Sequence, residues 1–202
     1  MASARSDATD EALMIRFQRG DRGAFASLVR KHQGSLFNFA LRQLRSAGSG
    51  PAEDVVQEVF IRVVQNASDF NHEARFTTWV YTIARNLCID LLRKQALRNH
   101  PSLDDARGDG ATLGEQTADP QASVERGAST AEIRERLMKA LAELPDEQRE
   151  VFLLREVSSL PFKEIADITG APENTVKSRM RYALERLQVM LRDYEEYARA
   201  LR

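Results

Sequence analysis

LPFKEIADITGAPENTVKSRMRYALERL, residues 160–187, decides how the rest of the chain is read. Pro161 opens a short amphipathic run from Phe162 to Thr169, Gly170 breaks it, and Pro172 restarts it near Glu173. Proline suits the first turn of a helix, where its missing N–H is not needed. Glycine suits the position just past a helix, where it takes a left-handed conformation without strain. Ile165, Ala166, Val176, Met180 and Leu184 recur at helical spacing and are the expected seam between the two helices. This is helix-turn-helix logic, in which the first helix braces a second whose leading turns enter the major groove. Asn174, Thr175, Lys177, Ser178, Arg179, Arg181 and Tyr182 fall on the outer face of that second helix. Arginine grips guanine bidentately, asparagine reads adenine, and lysine and serine take phosphates. An ordinary helical hairpin with a solvated face shares the pattern. The cluster of bases at the start of the second helix favours DNA.

Working upstream, residues 101–125 carry five Gly or Pro, six acids and one base, with no periodic apolar positions. This predicts a flexible acidic linker. It divides the chain into residues 1–100 and 126–202, both expected to be small all-α domains. The net charge is −1, but it is segregated. Arg85, Arg93, Lys94 and Arg98 face one acid, Asp90, between residues 85 and 100, and residues 172–192 hold five bases against two acids. Two basic helical stretches separated by acid suit a nucleic-acid binder better than the average charge implies.

Apolar residues at spacings of three and four predict helices over 10–19 and 23–44, and another beginning at Pro51. Ala52, Val55, Val56, Val59, Phe60, Val63 and Val64 form the stripe of that third helix, which leaves Glu53, Asp54, Gln57, Glu58 and Arg62 outward. An acidic, amide-rich ridge suits a basic protein partner rather than DNA. After a polar turn around Asp69–Glu73, a second stripe runs Phe76, Trp79, Val80, Ile83, Ala84, Leu87, Cys88, Leu91 and Leu92. Opposite it stand Thr78, Thr82, Arg85, Asn86, Arg93 and Lys94, with Trp79 and Tyr81 near the start. Bases and amides interleaved with rings suit a single strand with splayed bases, although Trp79 and Cys88 lie on the stripe and are expected to pack inward. Beyond the linker, helices are expected at about 130–143, 146–156, 161–168 and 173–195.

AEDVVQEVFIRV (52–63), RFTTWVYTIARNLCIDLLRK (75–94) and FKEIADITGAPENTVKSRMRYALERL (162–187) together resemble bacterial sigma factors of the extracytoplasmic-function (ECF) group. The resemblance covers nearly the whole chain apart from the linker. It implies a region 2 domain that docks on polymerase and melts promoter DNA, then a connector, then a region 4 helix-turn-helix domain. Asp54, Gln57 and Glu58 fall where such factors grip the clamp helices of the polymerase β′ subunit. The loop 69–75 falls where a flipped −10 base is captured. Arg75, Thr78, Asn86, Arg93 and Lys94 fall at the −10 DNA, and the face from Asn174 to Tyr182 falls at the −35 element. The acidic connector falls where the family threads the active-site cleft and RNA exit path. Implied partners are core RNA polymerase, with contacts to β′ and β, promoter DNA, and an anti-sigma factor. Trp79 is followed by Val80 where primary sigma factors have paired aromatics. Tyr182 and Leu184 stand where ECF factors commonly carry Arg, which alters the expected −35 preference.

No nucleotide-binding glycine loop or nucleophile–base set appears, so binding rather than catalysis is expected, without metal or cofactor. His32, His72 and His100 match no metal-ligand spacing. One cysteine and no long apolar run point to a cytoplasmic protein without membrane insertion. One rival reading is a stand-alone helix-turn-helix regulator of duplex DNA, which leaves the Gln57–Glu58 ridge and the basic Arg85–Lys94 helix without a role; a second, a pure interaction protein that sequesters a regulator, leaves the basic recognition helix without one.

Overall fold

The computed structural model describes residues 8–45, 49–71, 75–99 and 124–192, and every regular element among them is helical. The first half comprises α1 (Asp10–Gln18), α2 (Arg22–Leu44), α3 (Gly50–Gln65), a 3-10 turn (Ala67–Asp69) and α4 (Phe76–Asn99). The second comprises α5 (Val124–Glu143), α6 (Asp146–Phe152), a π turn (Leu153–Val157), α7 (Phe162–Thr169) and α8 (Glu173–Met190). Of the expected linker at residues 101–125, residues 101–123 lie outside the described residues, and the last two belong to α5, which begins at Val124, earlier than its sequence pattern implied.

Local chemistry sets the helix ends. Thr9 Oγ1 accepts the Ala12 N–H at 3.2 Å to start α1, and Asp21 Oδ1 accepts those of Gly23 and Ala24 to start α2. Each cap satisfies donors that have no partner within the helix. The Arg16 guanidinium, 2.6 Å from Asp21, holds that carboxyl below its ordinary pKa, helped by the Ala24 N–H. Buried Asp10 then ties α1 to α2 through His32 at 2.9 Å and Lys31 at 2.7 Å.

Around α2 the core closes as the periodicity requires. Leu28, Leu36, Phe39 and Ala40 of α2 meet Val55, Val59 and Val63 of α3 and Phe76, Val80, Ala84 and Cys88 of α4, all buried. Each fully buried Val, Leu or Phe contributes about 1.5–3 kcal/mol of transfer free energy, so this seam is the main stabilising feature of the first half. Two positions depart from the expected stripes. Val64 is 47% exposed, because α3 needs only the narrower line through Val55, Val59 and Val63 to cover its neighbours. Tyr81, expected near the nucleic-acid face, is buried edge-on against Phe39, with ring centroids 5.6 Å apart. It has left the set of rings available for base stacking.

In the second half α8 packs on α6 and α7, with Ile165, Ile168, Val176, Met180, Ala183 and Leu187 in the seam. Leu184 does not join it and is 48% exposed, because Ala183 and Leu187 already line the inner face. Gly170 ends α7 at φ +71° and donates its N–H to Ala166 O at 2.9 Å, so the turn forms as its glycine requires.

The halves are in contact. α7 lies against α4, and the π turn lies against α2.

Candidate nucleic-acid and protein interfaces

The outer ridge of α3 presents Glu53, Asp54 and Gln57, continues through Ile61, and ends at Val64, all exposed. Glu58 sits half-buried beside this ridge, where its Oε1 accepts from Arg62 Nε at 2.8 Å. Asp54, Gln57 and Glu58 are therefore brought together on one helix face, and the apolar Ile61 and Val64 extend it. Acids flanked by exposed aliphatics are a common form of protein-docking surface, with the apolar part supplying area and the charges supplying register.

The start of α4 is built by residues distant in sequence. Gln18 Nε2 donates to Ala67 O at 2.7 Å and Phe70 O at 3.0 Å, which anchors the root of the loop after α3. Buried Phe70 packs against Trp79 at 5.2 Å and Phe76 at 6.1 Å. Phe76 donates its N–H to Glu11 Oε1 at 3.1 Å, so a carboxylate from α1 caps α4. Of the loop 69–75, residues 72–74 and hence His72 lie outside the described residues. Arg75, just ahead of the helix, is exposed. Trp79 is half-buried, in keeping with inward packing, and Cys88 is fully buried. Farther along, Asn86, Arg93 and Lys94 are exposed and form an open polar face.

Thr78 and Arg85 are less accessible than the sequence suggests, because the second half covers them. Thr77 and Thr78 donate their hydroxyls to Glu164 Oε2 at 2.9 and 3.2 Å, and Arg75 Nε lies 3.6 Å from Glu164 Oε1. Arg85 donates to Glu150 Oε1 at 2.7 Å in a largely buried pair. Burial pushes the Glu150 carboxyl up, and the Arg85 charge pulls it back. Nearby, fully buried Arg149 reaches Asp146 at 3.0 Å and makes longer contacts to Leu144 O and Gln43 O. Glu11, Gln18, Glu150 and Glu164 were not singled out by the sequence. Each is an ordinary helix acid or amide until its partner, 49 to 87 residues away, is known.

On α8, Asn174, Lys177, Ser178, Arg181 and Tyr182 are exposed, and Thr175 and Arg179 are half-buried. All seven share the leading part of one helix. Every cation among them faces an acid, in the pairs Lys177–Glu173 at 2.7 Å, Arg179–Glu147 at 2.6 Å and Arg181–Glu185 at 3.8 Å. Arg181 also stacks on Tyr182, 4.8 Å from the ring centroid. The Arg179 pairing differs from the other two because Glu147 belongs to α6. It holds the guanidinium from outside its own helix.

Among the described residues no helix is long and apolar enough to cross a membrane, and no cluster of three ligating side chains is placed to hold a metal.

The chain matches family models of known proteins over two stretches. The model of sigma-70 region 2 matches residues 28–98, and that of sigma-70 region 4 matches residues 134–187. The ECF RNA polymerase sigma factor SigW of Bacillus subtilis is 32% identical over 176 residues, covering 87% of this chain and 93% of SigW. The ECF sigma-E factor of Escherichia coli is 33% identical over 178 residues, covering 88% of this chain and 91% of its own. Two solved structures share the fold. CnrH, solved with the cytosolic domain of CnrY, gives a TM-score of 0.67 at 22% identity and covers 92% of this chain and 99% of its own. The Bartonella quintana sigma factor RpoE, solved with the anti-sigma factor NepR, gives 0.65 at 24% and covers 83% and 96%.

Proposed function

The chain belongs to the ECF sigma factors of the sigma-70 family, and from that premise we propose how its surfaces divide the work of promoter-specific transcription initiation. The α3 ridge of Asp54, Gln57 and Glu58 binds core RNA polymerase at the β′ clamp helices. The exposed polar face of α4 (Asn86, Arg93 and Lys94), together with Arg75 and Thr78 at its start, meets the −10 element. The leading turns of α8 read the −35 element, with Lys177 and Ser178 on phosphate and Arg179 and Arg181 at base edges.

Residues 1–100 and 126–202 act as two domains, with the intervening acidic segment as their connector. The protein works by binding, without chemistry of its own, in the cytoplasm, and an anti-sigma factor is a further partner. The observation that carries this reading is the placement of three dissimilar surfaces on one chain: an acid and amide ridge on α3, a basic and amide face on α4, and a basic helix-turn-helix. A stand-alone duplex binder needs only the third.

Transcription from fragmented genomic DNA with purified core polymerase tests the reading. Adding the chain should produce discrete start sites that core polymerase alone does not produce. Binding to duplex DNA without any change in start sites would favour the stand-alone regulator.

A further inference from the structure

The outer face of α8 is not uniformly basic. Val176, Met180, Ala183 and Leu187 are buried on its inner side, so the helical repeat turns Asn174, Ser178 and Tyr182 outward along one ridge, at i, i+4 and i+8. None of these three side chains is charged. The cations lie to either side, Lys177 and Arg181 along one flank and Arg179 on the other. Each is drawn to an acid: Lys177 to Glu173, Arg181 to Glu185, and Arg179 across to Glu147 of α6. The middle of the reading face is therefore uncharged, and its bulkiest member is Tyr182, 45% exposed.

Tyr182 is held as well as exposed. The Arg181 guanidinium lies 4.8 Å from its ring centroid, a contact that covers one face of the ring and leaves the rest of its apolar surface open. In the major groove only thymine presents an apolar group, its C5 methyl, whereas a G·C pair presents polar groups alone. A ring pressed on a G·C pair strips water from those groups, and its carbons offer no hydrogen bond in return. Pressed on thymine, the same ring buries apolar surface against the methyl. Asn174, two turns earlier on the ridge and about 12 Å away along the axis, is the residue type that pairs bidentately with adenine. Both ends of the uncharged ridge therefore select A·T pairs.

We infer that Tyr182 is a specificity residue of the −35 site and reads a thymine through its C5 methyl, with Arg181 positioning the ring. The inference rests on the −35 assignment above and adds which base is chosen there. An arginine at residue 182 would grip guanine instead, so this one side chain decides between thymine and guanine at its base pair.

The test uses holoenzyme made from core polymerase and the full chain, transcribing a library of templates with randomised promoter DNA. Transcripts from the native holoenzyme should enrich thymine at one −35 position. Tyr182→Ala should remove that preference and Tyr182→Arg should move it to guanine, with the other positions unchanged. In a duplex promoter of the enriched sequence, that thymine is then replaced by deoxyuridine, which lacks only the methyl. Native holoenzyme should bind the uracil duplex about fourfold more weakly, the effect of one buried methyl. Tyr182→Phe should keep that response, and Tyr182→Ala should bind both duplexes alike. Equal binding of the two duplexes by native holoenzyme would overturn the inference, as would an enriched sequence that Tyr182→Ala and Tyr182→Arg leave unchanged. Neither result touches the functional reading. That reading fails separately, and takes the inference with it, if native holoenzyme starts transcription no more selectively than core polymerase alone.

Discussion

Cys88 lies on the buried side of α4, where burial, with the Glu150 charge as a lesser cause, pushes its thiol up to about 12. The thiolate is the reactive species, so a thiol reagent at pH 8 should leave the native chain almost unmodified and label one site per chain after denaturation. Rapid labelling of native protein would place Cys88 at the surface. On α8, Lys177 and Arg179 differ in a way that binding measurements resolve. Exposed Lys177 is expected to contact phosphate, so Lys177→Ala should lower the salt slope of −35 duplex binding by about one. Arg179 is held by Glu147 and aimed from the half-buried side. Arg179→Ala should cost about 1–3 kcal/mol and relax sequence preference, with polymerase binding unchanged. Equal affinity of both variants and the native protein at fixed salt would discard this recognition face.

At the scale of elements, the α7–α8 turn depends on the backbone of Gly170. A Cβ there would meet no atom within 4 Å, so the cost of Gly170→Ala is conformational rather than steric. At φ +71° that cost is about 1–2 kcal/mol, and thermal unfolding should report it as a fall of several degrees in Tm. The α1–α2 junction carries a pH dependence. Burial depresses the His32 pKa below 6.5, against the pull of Asp10, so folded His32 resists a proton that the unfolded chain accepts. Its contribution to stability is present in full above pH 6.5 and is lost as pH falls below that. His32→Gln should flatten this part of the stability curve, as measured by urea unfolding between pH 7 and pH 5. The helices and their order were legible in the sequence because a 3.6-residue period marks a buried face directly. The width of that face was not legible, since it depends on the neighbouring helix, so Val64 and Leu184 were placed inside and Tyr81 outside. Glu164 and Glu150 were not legible either, because what distinguishes them is contact with α4, from 65 to 87 residues earlier in the chain.

At the scale of the molecule, three surfaces differ in chemistry. The α3 ridge is acidic and partly aliphatic, the α4 face is polar and basic, and the outer face of α8 is basic with an exposed tyrosine. The second and third suit DNA, and only the first requires polymerase. That makes the ridge the decisive element of the account. Asp54 and Gln57 are exposed and Glu58 is half-buried, clear of the seam through Val55, Val59 and Val63, so changing Gln57 and Glu58 leaves the core intact. Such surface substitutions usually shift stability by less than about 0.5 kcal/mol. Reversing the Glu58 charge also breaks its pairing with Arg62 and adds repulsion toward a basic partner, which slows association as well as weakening it. The measurement is equilibrium binding of purified core polymerase to the native chain and to Glu58→Lys/Gln57→Ala, with helicity and −35 duplex binding as controls. The account predicts tight binding by the native chain and a large loss in a variant that stays folded and keeps its duplex affinity. A folded variant that binds core polymerase as tightly as the native chain would contradict it.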